Sequence, residues 1–255
     1  MAELADEAAD DLGARIVSLD RPGIRDSTFQ PNRTLLDWPP LVAEVAAALQ
    51  IEKFRVLAVS GGSPYAYATA WAMPERVAAI AVASGAPPIA ELTDRSGLLQ
   101  LYNGMLALRQ RQPRLLRALF QVARPFAAMK LPRRVRPLLL KFLQPCDANV
   151  LRDSRSFEAC FESARQAWRT SAEGVMADAE IYANPWGFRL EDVHVPVRLW
   201  HGTKDRSFSA GVAEEVAARL PRCELRLVEA AGHYSLPIRH MREILADLLS
   251  VGRGR

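Results

Sequence analysis

Five runs of the chain are short and apolar in the manner of buried strands: ARIVSL at 14–19, FRVLAV at 54–59, VAAIAVA at 77–83, VPVRLW at 195–200 and ELRLVE at 224–229. Between them the apolar positions recur at helical spacing, in LLDWPPLVAEVAAALQ, SPYAYATAWAM, AGVAEEVAARL and IRHMREILADLL. In the last of these Ile238, Met241, Ile244, Leu245 and Leu248 share one face. Alternation of strand and helix predicts an α/β fold, a mostly parallel sheet with flanking helices, in which ligands bind at the carboxyl ends of the strands. Residues 89–190 break that rhythm, being helical in pattern with no convincing strand, and Pro113, Pro125, Pro132, Pro137 and Pro145 are expected to chop them into short helices. The chain therefore divides into 1–88 as the first part of an α/β core, 89–190 as a helical insertion and 191–255 as the second part of the core.

Composition supports a soluble globular protein with a sizeable core: 255 residues, 49% hydrophobic and 24% charged. The longest uncharged apolar run, VAAIAVASGAPPIA, is interrupted by Gly85 and two prolines well short of the ~18 residues a membrane span needs, so no transmembrane segment is expected. The acidic start, MAELADEAADD, has neither the basic residues nor the apolar stretch of a secretory signal. Cys146, Cys160 and Cys223 are odd in number, widely spaced and without metal-ligand spacing, which points to reduced thiols in the cytoplasm.

The net charge of +4 is unevenly spread. No acidic residue lies between Asp94 and Asp147, a stretch that holds Arg109, Arg111, Arg114, Arg117, Arg124, Lys130, Arg133, Arg134, Arg136 and Lys141. Three readings stand: a solvated helical face, attraction of an anionic substrate, or peripheral contact of 95–146 with an anionic membrane, because Leu138, Leu139, Leu140 and Phe142 are interleaved with the cations. Nucleic acid is not expected as a partner, since stacking aromatics are few and no binding motif is present.

Candidate chemistry sits where the second strand run breaks, in RVLAVSGGSPYA. A serine on a sharp strand-to-helix turn is presented to substrate, and the crowded turn demands small residues two before and two after it; here these are Ala58 and Gly62 around Ser60. Pro64 suits the first turn of the helix that follows. A serine nucleophile needs a histidine base held by a carboxylate. Of four histidines, His194, His201 and His240 read as surface or structural residues, whereas His233 lies in a loop after the last strand run, behind Gly232, which frees the backbone to turn. Asp205 lies in the loop after VRLWHGTK, so Ser60, Asp205 and His233 would all project from one edge of the sheet, in the chain order Ser, Asp, His.

With those residues in hand the chain resembles the α/β-hydrolase superfamily, in its capped, lipid- and ester-hydrolase-like branch. The resemblance rests on VSLDRPGIRDS, RTLLDWPPLVAEVAAALQIEKFRVLAVSGGSPYA, PERVAAIAVASGAPP, VPVRLWHGTKDRSFS and LRLVEAAGHYSL. It implies Ser60 as nucleophile, Asp205 as acid, His233 as base, the Gly61 N–H as an oxyanion-hole donor and 89–190 as a cap over the pocket. A serine in place of aspartate at the nucleophile position disfavours dehalogenase and epoxide-hydrolase chemistry. The activity implied is hydrolysis of an ester-type acyl bond in a hydrophobic small molecule, without metal or cofactor. The alternative is a catalytically weak or inactive member that acts as a binding module. The family pattern begins earlier, with two strands and a third that ends in a His-Gly loop, and Met1 falls within what resembles the helix after that third strand. The expectation from this is a central gap beside ARIVSL, closed either by sliding the first two strand runs together or by leaving the first loosely attached.

Overall fold

The computed structural model describes residues 2–252, the side chains of Ala2 and Glu3 excepted. In chain order α1 (Ala2–Asp11) is followed by α2 (Trp38–Ala48), β1 (Phe54–Val59), α3 (Ser63–Ala72) and β2 (Val77–Ala83). A purely helical stretch comes next: α4 (Gln100–Arg111), α5 (Pro113–Ala127), α6 (Arg136–Leu140), α7 (Pro145–Val150), α8 (Ser154–Arg169) and α9 (Glu173–Ala183). The chain then returns through β3 (Val197–Gly202), α10 (Ala210–Arg219), β4 (Cys223–Val228) and α11 (Ser235–Ser250). The sheet has the order β1-β2-β3-β4 and every pairing is parallel, as the alternating pattern requires.

Side-chain alternation divides the core between the two faces of the sheet. Ile80 and Val82 of β2 and Val197 and Leu199 of β3 face α3 and α10, where Tyr65, Tyr67 and Val216 cover them. Ala79, Ala81 and Ala83 point the other way, onto Leu236, Ile244 and Leu248 of α11. Their small size lets that helix lie close. Pairing moves from Phe54 opposite Val77 to Arg55 opposite Ala79, so Ala78 is skipped as a bulge and left exposed, which puts Val77 on the α3 face with Ile80.

Three expectations are corrected. Residues 14–19 form no strand: Ala14 N–H bonds the Ala9 carbonyl at the end of α1, Ala14 and Ile16 rest on the cluster between α1 and α11, and Val17 is 42% exposed. The expected gap beside this run is present as a cavity of about 1320 Å³ between residues 14–21 and the outer edge of β1, so the first two runs do not slide together to close it. As a result β1 is only partly buried along its length, apart from Ala58. The fourth run, at 195–200, is displaced: Pro196 has no N–H to donate, so the β3 ladder begins at Val197 and continues through His201 and Gly202, opposite Leu227 and Val228. Finally, Pro125 lies inside α5 instead of ending it, whereas Pro113 and Pro145 open their helices and Pro137 sits in the first turn of α6.

Ile244 is fully buried against the alanine face. Ile244→Ala should cost about 2–5 kcal/mol of unfolding free energy in urea titrations, and Leu227→Ala, at a half-exposed position on β4, well under half of that.

Candidate active site

The turn after β1 is strained in the direction that presents a side chain. Ser60 has φ of +52°, in the left-handed region that residues other than glycine seldom enter, and starts the single 3-10 turn Ser60–Gly62 before α3. Backbone bonds hold the turn in place: Ala86 N–H donates to the Ser60 carbonyl at 3.1 Å, and the Ser63 hydroxyl lies 2.9 Å from that same oxygen. A Cβ at Gly61 would stand 2.6 Å from the hydroxyl oxygen of Tyr182, so a side chain there would have to displace that hydroxyl. Tyr182, on α9, donates to the Gly61 carbonyl at 2.9 Å, and burial pushes its own ionisation well above the ordinary range, so it stays a donor.

The three residues singled out from the sequence meet at the carboxyl edge of the sheet. His233 Nε2 lies 2.8 Å from Ser60 Oγ and Nδ1 lies 2.7 Å from Asp205 Oδ2. With the proton on Nδ1, the ring donates to Asp205 and accepts from the Ser60 hydroxyl. The Asp205 side chain is fully buried, and its other oxygen accepts the N–H groups of Ser207 at 2.7 Å and Phe208 at 3.1 Å. Those bonds fix the carboxylate before the imidazole meets it. Phe208 and Tyr234 set their rings edge-on to His233, at centroid distances of 5.8 and 5.4 Å. Ser60, Gly61 and His233 all line the large cavity, together with Arg21, Tyr102 and Tyr234.

A residue that sequence reasoning passed over holds the histidine loop from the other side. Asp147, on α7 of the helical stretch, is 4% exposed, and its carboxylate accepts the backbone N–H groups of His233 at 3.1 Å, Tyr234 at 3.0 Å and Ser235 at 2.7 Å. The need for Gly232 is therefore space and not an unusual turn, because a Cβ there would come within 2.6 Å of both Asp147 oxygens. The signal in the sequence was faint: Asp147 is the first acid after the long cationic stretch. A second missed cluster gathers around Tyr65 of α3, the helix that follows the Ser60 turn. Asp178 of α9 takes Arg21 Nε at 2.8 Å and the Tyr65 hydroxyl at 2.6 Å, and it also pairs with Arg33, which donates to Tyr65 at 2.9 Å.

His201, read as structural, is buried and points its Nε2 at the Phe208 carbonyl, 2.9 Å away, with no partner for Nδ1. Burial lowers its pKa below the ordinary 6.5, against the opposing pull of Asp205. Among the described residues no group of three or more His, Cys, Asp or Glu side chains is placed to hold a metal ion.

The sequence of residues 1–238 matches the family described as alpha/beta hydrolase fold, and the chain belongs to that family. No curated protein matches the sequence. Among solved structures it is similar to an alpha/beta hydrolase fold protein from Nakamurella multipartita, at 19% identity over 98% of this chain and 87% of that one, with a TM-score of 0.60. A thermophilic esterase from Thermogutta terrifontis is 18% identical over 97% of this chain and 82% of its own, with a TM-score of 0.61. A bromoperoxidase from Bacillus anthracis is 16% identical over 97% and 85%, with a TM-score of 0.68. At these identities the likeness carries the fold.

Two outcomes follow from the buried groups. Asp147→Ala strands three backbone donors, so it should lower unfolding free energy by about 2–4 kcal/mol, with Asp147→Asn, which keeps one acceptor oxygen, falling between it and the parent. For His201 the unfolded chain binds the proton more readily than the folded one. Its stabilising contribution is present above pH 6.5 and is lost as pH falls below it, so denaturation midpoints measured from pH 7.5 to 5 should drop less in His201→Gln than in the parent.

Proposed function

We propose that this chain is a serine hydrolase that cleaves ester-type acyl bonds of hydrophobic small molecules through Ser60, His233 and Asp205. The observation that carries the reading is the continuous hydrogen-bond chain from Asp205 through both nitrogens of His233 to Ser60, opening onto the large cavity. Ser60 Oγ attacks the acyl carbon while its proton passes to His233 Nε2, and Asp205 stabilises the imidazolium. The Gly61 N–H supports the oxyanion. Collapse expels the alcohol, which leaves with the proton from His233; water then attacks the acyl-enzyme, gives its proton to His233, and Ser60 is released with that proton as the acid departs. No step of this sequence calls for a metal or an organic cofactor.

Residues 89–190 act in this reading as a cap between two core parts, 1–88 and 191–255. The bonds of Asp147 to the histidine loop and of Tyr182 to Gly61 support that role, since both reach from helices of this stretch to the reacting groups. Apolar lining along β1 and α11, from Val56, Leu57, Met241 and Leu245, suits an acyl or alkyl chain. The thiols of Cys146 and Cys223 are free, which favours a reducing, cytoplasmic setting.

A fluorophosphonate probe should label the protein, with labelling abolished in Ser60→Ala. Turnover of short p-nitrophenyl esters should fall by about 10⁴-fold or more in Ser60→Ala and in Asp205→Asn. Equal labelling of parent and Ser60→Ala would refute the assignment, and esters that bind without turnover would favour the binding module.

A further inference from the structure

The face of α5 that looks away from the protein has no partner among the described residues, and its chemistry is that of a membrane surface helix. One side of the helix is anchored: Phe120 stacks at a tilt on Trp168 of α8, Arg124 donates to the Arg169 carbonyl at 2.8 Å, and Arg117 and Gln121 hold Glu173 of α9. On the opposite side Leu115, Leu119, Val122 and Phe126 follow one another at steps of four, three and four, and Met129 continues the line just past the helix end. They are 45%, 48%, 64%, 72% and 62% exposed. Steps of three and four place residues on one stripe, and α5 is about 22 Å long at 1.5 Å per residue. Soluble monomers seldom leave so continuous an apolar stripe to water. The following stretch adds Leu138 at 57% and Phe142 at 78%.

Cations flank the apolar positions, and their charge is not cancelled. Arg111, Arg114, Arg133, Arg134 and Lys141 are exposed and none has a carboxylate within ion-pair distance among the described residues, while Arg109, Arg117 and Arg136 pair with Glu180, Glu173 and Glu158. No acid occurs from Arg95 to Cys146. This absence selects the occupant. A second copy meeting the same stripe face to face would bring two uncancelled sets of cations together. A nucleic acid would satisfy the cations and leave the leucines and phenylalanines in contact with phosphate. An anionic bilayer satisfies both, its headgroups meeting the arginines and its acyl boundary the apolar stripe. Among the described residues no helix is long and apolar enough to cross a membrane, so the contact is peripheral.

We propose that α5 and the cationic segment after it dock this protein flat on an anionic lipid surface, Leu119, Val122, Phe126 and Met129 entering the interface and Arg114, Arg133, Arg134 and Lys141 lying at headgroup level. None of these residues lines the cavity onto which Ser60 and His233 open, so the proposal survives or fails independently of the hydrolase reading.

Co-sedimentation of the full chain with phosphatidylcholine vesicles, with and without phosphatidylglycerol, tests it. Binding is expected only with phosphatidylglycerol, weakening by about tenfold or more as salt is raised from low to well above physiological strength. Val122→Ser/Phe126→Ser and Arg133→Glu/Arg134→Glu should each lower that binding by about tenfold or more, with unchanged circular dichroism and unchanged turnover of a soluble ester. Ser60→Ala should bind vesicles as the parent does, which separates docking from catalysis. Equal binding to both vesicle types, binding that survives both double substitutions, or a dimer in sedimentation velocity that dissociates in Val122→Ser/Phe126→Ser without any vesicle binding would overturn the proposal.

Discussion

A parallel sheet has to be covered on both faces, because helices and not water must meet the apolar side chains that alternate along its strands. In this chain β2 meets that demand with two different surfaces, branched residues toward α3 and α10 and alanines toward α11. Once four strands run the same way, their carboxyl ends lie on one edge, and whatever follows them is brought together there. Ser60 after β1, Asp205 after β3 and His233 after β4 meet for that reason, although Ser60 and His233 are 173 residues apart in the chain.

Buried carboxylates then couple the helical stretch to that edge. Asp147 is surrounded by three N–H groups of the histidine loop, and Asp178 by two guanidinium groups and the Tyr65 hydroxyl. A carboxylate removed from water is tolerated only with such partners. Displacing α7 would strip the His233 loop of its acceptor, and displacing α9 would strip Arg21 and Arg33 of theirs. The helices α7 and α9 thus share the same constraint. The outer face of α5 carries no such carboxylate, and its apolar stripe is exposed.

Much of the fold was legible because it rests on periodicity. The runs at 54–59 and 77–83 and the helix around Ile244 announce themselves through apolar spacing, and Ser60, Asp205 and His233 through the turn chemistry around them and their order along the chain. The run at 14–19 misled for an equally physical reason. Its composition suits a strand, but a strand exists only with a hydrogen-bonded neighbour, and the neighbouring space is a cavity. Pro196 and Pro125 show the same division: proline removes an N–H wherever it stands, but whether that ends an element depends on what the N–H would have met.

The sequence by itself determined the alternation of elements, the strained serine turn, the chain order of the candidate triad and the cationic character of 95–146, all of which are properties of neighbouring residues. The tertiary structure decided that Asp147 accepts from the histidine loop, that Gly232 is needed for space, that Tyr182 reaches Gly61 and that Leu115, Leu119, Val122 and Phe126 of α5 face outward. Each of those depends on which surfaces meet across long separations in the chain, and such meetings are fixed by packing two faces of a sheet at once and by finding partners for buried charge, not by any local pattern.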